Sequence, residues 1–264
     1  MSKDIAKLLS EWPHGEGPTA RRIIGDDGRE KIQIRVCVDT FHGFLQFECD
    51  GRPDGKRPHG REFYLDHLQE KRRRCVENGG VSADFRLTRS QCRKLFDEGG
   101  SIYHRYVVML QLGDYERVMR DTERNMRLFR FINEHAARKE DREHLECWWP
   151  YILRIHHTAA VMEHLDRGKI DDALESIAAC RQRIEQLPPL EHEVFTQEKE
   201  RSLEALRQME EQIRERRPLT KLEQLEKEKR SAISEQRFEE AARLRDRING
   251  LRMESEPPPP ETRG

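Results

Sequence analysis

From about residue 61 to residue 251 apolar residues return at helical spacing with few interruptions, and this run constrains the fold more than any other feature of the chain. Breaks are expected at Gly79 and Gly80, a bend at Gly99 and Gly100, and stops near Pro150, Pro188 and Pro218. Glycine loosens a helix, and proline lacks the amide hydrogen a helix needs. The fold class is therefore mainly α. Only 35% of the 264 residues are hydrophobic against 38% charged, a balance that suits long helices with wide solvated faces. Residues 61–190 read as a helical body, and 191–217 as a long connecting helix.

Ahead of the helices, within an N-terminal segment 1–60, residues 30–49 switch to period two. Ile32, Ile34, Val36 and Val38 alternate with Lys31, Gln33, Arg35 and Cys37. After a turn around Asp39 to Gly43, Leu45, Phe47 and Cys49 alternate with Phe44, Gln46 and Glu48. The pattern is a β-hairpin, which is marginal alone in water, so its apolar face is expected to rest on the helices that follow.

Two stretches of the body read as helix pairs joined by a glycine, at Gly113 and Gly168. Each resembles the Gly-x-x-x-x-Ala turn of tetratricopeptide-like repeats, with Val118 and Ala173 at the small position where helices cross. The glycines stand 168 − 113 = 55 positions apart, against a period of roughly 34 in a true tandem array, so the expectation is a bundle with repeat-like hairpins.

Lys and Arg (49) nearly cancel Asp and Glu (50), which removes any global field toward DNA or an anionic membrane. The N-terminus lacks the basic and apolar regions of a secretory signal, and no apolar run approaches a membrane span, so a cytoplasmic protein is expected. The six cysteines, with no Cys-x-x-Cys pair, suit reduced thiols. The densest positive region comprises Arg52, Lys56, Arg57 and Arg61 in a Gly- and Pro-rich loop, then Lys71, Arg72, Arg73 and Arg74 on the next helix. It is either a nucleic-acid contact through phosphates or a solvated face. The loop GRPDGKRP is one residue short of phosphate-loop spacing, and Arg57 stands where Ser or Thr would hold Mg²⁺.

His156, His157 and His164 lie near Glu163 without the i, i+4 histidine pair of a zinc helix, so no metal is expected. Trp148, Trp149, Tyr151, Tyr103 and Tyr106 read as interhelix packing rather than a ligand cage. No nucleophile elbow or marked cysteine appears, and neither an enzyme nor a cofactor is expected.

At the C-terminal end Phe238, Ala241, Leu244, Ile248 and Leu251 recur at steps of 3, 3, 4 and 3, near the mean of a heptad seam. Leu222, Leu225, Lys229 and Ala232 precede them, with Ile233 on the shoulder, and a turn is expected near Ser234 to Arg237. Residues 218–252 thus read as an antiparallel two-helix coiled-coil hairpin, followed by a disordered Pro-rich tail over 253–264. The string LEKEKRSAISEQRFEEAARLRDRINGL resembles the UVR motif of UvrB and UvrC, through Phe238, Glu239, Ala241, Ala242, Arg245, Asp246 and Ile248. Lys229 departs from the apolar residue usual at that point. The resemblance implies association: those seven residues would bind another protein or a second copy of the chain, making this an adaptor. Two alternatives stand beside it. Phe238 and its neighbours cap the chain's own bundle, or the protein is an accessory factor in nucleotide excision repair that also touches DNA through the basic region.

Overall fold

In a computed structural model of the chain, the residues described are 5–12, 19–38, 41–79, 85–216 and 221–255. The chain divides into two compact units, Met1–Glu211 and Gln212–Gly264.

The alternating segment folds as strands β2 (Glu30–Val38) and β3 (Phe41–Glu48), antiparallel, with Ile32 opposite Phe47 and Ile34 opposite Leu45. Residues 41–43, assigned above to the turn, are strand: His42 pairs with Cys37 and Gly43 with Val36. The connection at 39–40 lies outside the described residues. A further strand, β1 (Ala20–Ile24), pairs antiparallel along the other edge of β2, making a three-stranded sheet rather than a lone hairpin. Its sequence, ARRII, lacks clean alternation, because the two arginines serve different faces of the sheet.

The expected cover is present. Ile32 is fully buried, and with Ala20 and Phe47 it packs against Ile102, Met109 and Ile155. The opposite face is half closed: Gln33 and Arg35 are each only 8% exposed. Helix α1 (Ala6–Glu11) leads into Trp12, whose ring stacks on Phe44 at 5.6 Å. The guanidinium groups of Arg21 and Arg35 lie 4.4 and 5.3 Å from the Trp12 ring centre. Arg21 also donates to Gln33 Oε1, and Gln33 donates on to Gln46. Cation–π contact and satisfied amides let polar side chains sit buried there.

The helical body comprises α2 (Tyr64–Glu77), α3 (Arg89–Gln111), α4 (Tyr115–His135), the short α5 (Lys139–Glu143), α6 (Trp149–Asp166) and α7 (Ile170–Glu185). Helix α2 stops just before Gly79, which takes a positive φ; Gly80 lies outside the described residues. No bend divides α3 at Gly99 and Gly100: the helix runs through both, and the Gly99 carbonyl accepts from Asn125 Nδ2 of α4 at 3.0 Å. Pro150 does not end a helix but sits in the first turn of α6, where its missing amide hydrogen is not needed. Helix α4 packs between α3 and α6, and α7 packs on α6. The helix pairs expected at Gly113 and Gly168 both form, with Val118 and Ala173 fully buried. The long helix follows as α8 (Glu193–Arg216).

The N-terminal sheet is tied to the body by charge. Arg105 of α3, fully buried, donates to both carboxylate oxygens of Asp121 on α4 at 2.6 and 2.9 Å. Its Nη1 reaches past them to the carbonyls of Glu48 and Gly51, at 3.1 and 2.6 Å. Arg117 bridges Glu30, Asp50 and Asp114, and Arg120 binds Asp50 and the Cys49 carbonyl.

Candidate functional site

The second unit holds α9 (Lys221–Ser234) and α10 (Phe238–Ser255), which pack as an antiparallel hairpin. Residues 253–255, given above to the tail, are thus the last residues of α10; 256–264 lie outside the described residues. The turn falls where expected. Gln236 takes the left-handed conformation at φ 58°, its amide donates to the Ile233 carbonyl at 3.1 Å, and the Arg237 amide donates to the Ala232 carbonyl at 2.7 Å. This pair of bonds is the Schellman arrangement, which satisfies the last carbonyls of α9 and reverses the chain. Arg237 forms ion pairs with Glu235 and Glu240 beside it.

The seam closes on itself. Leu225, Ala232, Ala241, Leu244 and Ile248 are buried in one cluster, with Leu222 and Leu251 at its edges. Lys229 is half-buried beside it, where its methylene stem can lie along the seam while the ammonium reaches water. Of the seven residues read as partner-binding, Ala241 and Ile248 therefore face the sister helix. Phe238, Glu239, Ala242, Arg245 and Asp246 lie on the exposed surface of α10. Ala241 and Ala242 part company because adjacent helical residues point about 100° apart. Asp246 accepts from Arg245 Nε and Nη2 at 3.0 and 2.9 Å, so it holds that guanidinium in place. Phe238 is 66% and Ile233 49% exposed, one on each side of the turn, giving the hairpin tip two large uncovered apolar side chains.

The basic region is more divided than its sequence implies. Arg52 points inward, binding Asp54 and the fully buried carboxylate of Glu98 at 2.8 Å each. Glu98 also accepts from the Tyr64 and Leu65 amides at 2.7 and 3.1 Å, capping α2 from another helix. Gly51 and Gly55 take positive φ values of 69°, and the loop between them is a tied turn. Lys56 and Arg57 are exposed, and Arg61 lies 4.0 Å from Glu70. On α2, Arg73 and Arg74 share Glu70 at 2.5 and 2.9 Å, Lys71 is exposed, and Arg72 is half-buried on the side of Leu68. Partial burial raises the Glu70 carboxyl, but hydrogen bonds and charge from Arg74 and Arg73 outweigh it and hold its pKa below the usual range.

The histidines are engaged separately: His156 Nδ1 lies 2.9 Å from Thr122 Oγ1, His157 Nε2 lies 3.2 Å from Arg183 Nη1, and His164 lies 3.8 Å from Asp172. Among the described residues no group of three or more His, Cys, Asp or Glu is placed to hold a metal ion. No helix among them is long and apolar enough to cross a membrane. Burial pushes the thiols of Cys49 and Cys92 up to about 11 and that of Cys180 to about 12, which leaves them poor nucleophiles. Of the five aromatic residues singled out, Tyr103, Tyr106, Trp148 and Tyr151 meet around one cavity, while Trp149 packs on Phe129 and donates to Glu146. Sequence spacing did not show that cavity, because its walls come from helices far apart in the chain.

Compared with known families, residues 220–253 match the model of the UVR family, the UvrB/uvrC motif. The chain carries a UVR motif, and the match spans both helices of the hairpin and the turn. No curated protein and no solved structure matches the chain.

Proposed function

We propose that this protein is a non-enzymatic adaptor that docks onto another protein through the tip and outer face of its UVR hairpin. The observation that carries the reading is the pair Ile233 and Phe238, large apolar side chains left 49% and 66% exposed at the tip of a hairpin whose seam is already filled. Apolar side chains clustered on a surface support association. On the same face Ala242 offers a flat approach beside the Arg245–Asp246 pair, a polar rim for an apolar centre.

The rival reading, contact with DNA through residues 52–74 as a repair accessory factor, draws less support. Arg52 is occupied by Glu98 and Asp54, and Arg73 and Arg74 are partly neutralised by Glu70.

Affinity capture from native cytosol with tagged wild type, Phe238→Asp and Ala242→Arg tests the adaptor reading. Both variants change exposed positions, so their circular-dichroism melts should match wild type while a captured protein disappears. Recovery of the protein's own untagged copies would identify self-association, to be checked by sedimentation. Identical recoveries from all three proteins would refute docking through this face.

A further inference from the structure

Residues of α3, α4, α6 and the first turns of α8, with the segment 144–148 ahead of α6, line an open cavity of about 520 Å³, a size suited to a small molecule. Its walls are aromatic. Tyr106 and Phe129 are 2% and 6% exposed, whereas Tyr103 and Trp148, at 39% and 40%, are open to solvent. Tyr103 meets Tyr106 at 88° with ring centres 5.5 Å apart, and Trp148 meets Tyr151 at 85° and 6.4 Å. These are edge-to-face contacts, and the Arg154 guanidinium already lies 5.2 Å from the Tyr151 ring centre, so the rings most open to a further cation are those of Tyr103 and Trp148.

The polar atoms agree with the rings. Glu198 of α8 lines the cavity and is 6% exposed; its Oε1 accepts from Arg201 at 2.7 Å, while Oε2 is buried with no hydrogen-bond partner among the described residues. Asn125, 2% exposed, donates to the Gly99 carbonyl, but its Oδ1 is likewise buried and accepts no hydrogen bond. Its amide lies near the Tyr106 phenol, whose pKa burial drives well above the ordinary value. A buried carboxylate oxygen without a donor is costly to desolvate, and both orphaned atoms are acceptors. What would complete them is positive and carries N–H groups.

We propose that this cavity binds a small organic cation with N–H donors, an amidinium, guanidinium or protonated amine, held against the Tyr103 and Trp148 rings and donating to Glu198. A flat amidinium or guanidinium fits best, because it stacks on rings and presents donors in its own plane. A quaternary ammonium leaves Glu198 unsatisfied, an anion meets the carboxylate, and a neutral amide loses the charge.

Calorimetric titration of the full chain with benzamidine and with benzamide, near in shape but different in charge, tests the site. Benzamidine should bind at least about tenfold more tightly, the scale of one hydrogen bond to a charged group. Glu198→Gln, which keeps the shape and removes the charge, should weaken benzamidine at least about tenfold. Arg201→Ala, which frees Glu198 from its partner, should strengthen it. If Glu198→Gln does not fold, the two ligands on the wild-type protein still decide. Equal affinity for both, no binding of either at millimolar concentration, or a Glu198→Gln variant that binds benzamidine as wild type does would overturn the proposal. The same head group occurs on free guanidines and on arginine side chains. With the site established, tighter binding of agmatine than of a Gly-Gly-Arg-Gly-Gly peptide assigns it to a free cation, and the reverse order to a protein side chain.

Discussion

Replacing Arg105 by Met removes a fully buried guanidinium while keeping a side chain of similar reach. Four hydrogen bonds go with it, two to Asp121 and one each to the Glu48 and Gly51 carbonyls. Asp121, 1% exposed, keeps Arg120, whose Nε donates to Oδ1 at 3.1 Å, but its other oxygen loses its donor. Breaking a buried ion pair by removing one partner costs about 3–5 kcal/mol. The surviving Arg120 bond argues for the lower half of that range. At about 2–4 °C per kcal/mol for a unit of this size, the expected fall in Tm is roughly 6–16 °C. All three tryptophans, Trp12, Trp148 and Trp149, belong to the first unit, so tryptophan fluorescence follows its unfolding without contribution from the hairpin. The pair itself is isolated by a cycle with Asp121→Leu. That change alone strands Arg105, and the double variant should be less destabilised than the sum of the singles by at least about 1 kcal/mol. An Arg105→Met protein within about 1 kcal/mol of wild type, or an additive cycle, would refute the claim that this pair fastens the sheet to the helices.

Two further perturbations follow from the same geometry. Gln236 holds a left-handed φ that costs an ordinary residue about 1 kcal/mol, so Gln236→Gly should stabilise the hairpin by about 0.5–1 kcal/mol and slow exchange of the Leu244 amide hydrogen roughly two- to fivefold. Unchanged or faster exchange counts against the turn as described. Burial, with the charges of His156 and Arg183, lowers the His157 pKa from 6.5 to about 4. The unfolded chain therefore takes up the proton first as pH falls. Stability from this group is complete above pH 6.5 and is lost on the way down to about pH 4, by up to roughly 3 kcal/mol before solvent screening at this partly exposed ring reduces it. His157→Gln should flatten the acid side of the Tm–pH curve relative to wild type, and parallel curves would contradict the assignment.

What could be read from the sequence was what depends on neighbours along the chain. Period two over 30–38 marks β2 because a strand turns successive side chains to opposite faces, and Gly113 and Gly168 mark turns because a left-handed residue is needed there. Contacts between distant segments were not legible. Gln33 and Arg35 alternate with the apolar residues of β2, and their burial depends on Trp12, more than twenty residues earlier in the chain. Arg52 reads as one cation of a basic loop, yet its partner Glu98 stands 46 positions away on α3. Tyr103 and Trp148 carry helical spacing that says they pack, but not that they leave a space between them. In the hairpin, heptad spacing identified the seam but could not say whether that seam faces a partner or the chain's own second helix.

That last ambiguity bears on function through the three turns. The bonds closing α9 onto α10 repeat those at Gly113 and Gly168: the Asp114 amide reaches the Met109 carbonyl and the Lys169 amide that of His164, each at 2.9 Å, as Arg237 reaches Ala232. Five residues beyond each left-handed position stands a buried small or branched side chain: Val118, Ala173 or Ala241. The turn is therefore a general device of this chain and carries no docking information. What sets the last pair apart is how little its own seam buries. Val118 belongs to a core that draws on the sheet and three helices, whereas the hairpin cluster contains Leu225, Ala232, Ala241, Leu244 and Ile248, two of them alanines. A two-helix element of about 35 residues with so small a seam lies in the range where folding alone is marginal and association commonly supplies the missing burial. Ile233 and Phe238, large and uncovered at its tip, are where further burial has most to gain, at about 1.5–3 kcal/mol for each such side chain fully covered. If the hairpin docks as proposed, association through the tip would stabilise it as well as hold the partner, and docking would be coupled to the folding of this element.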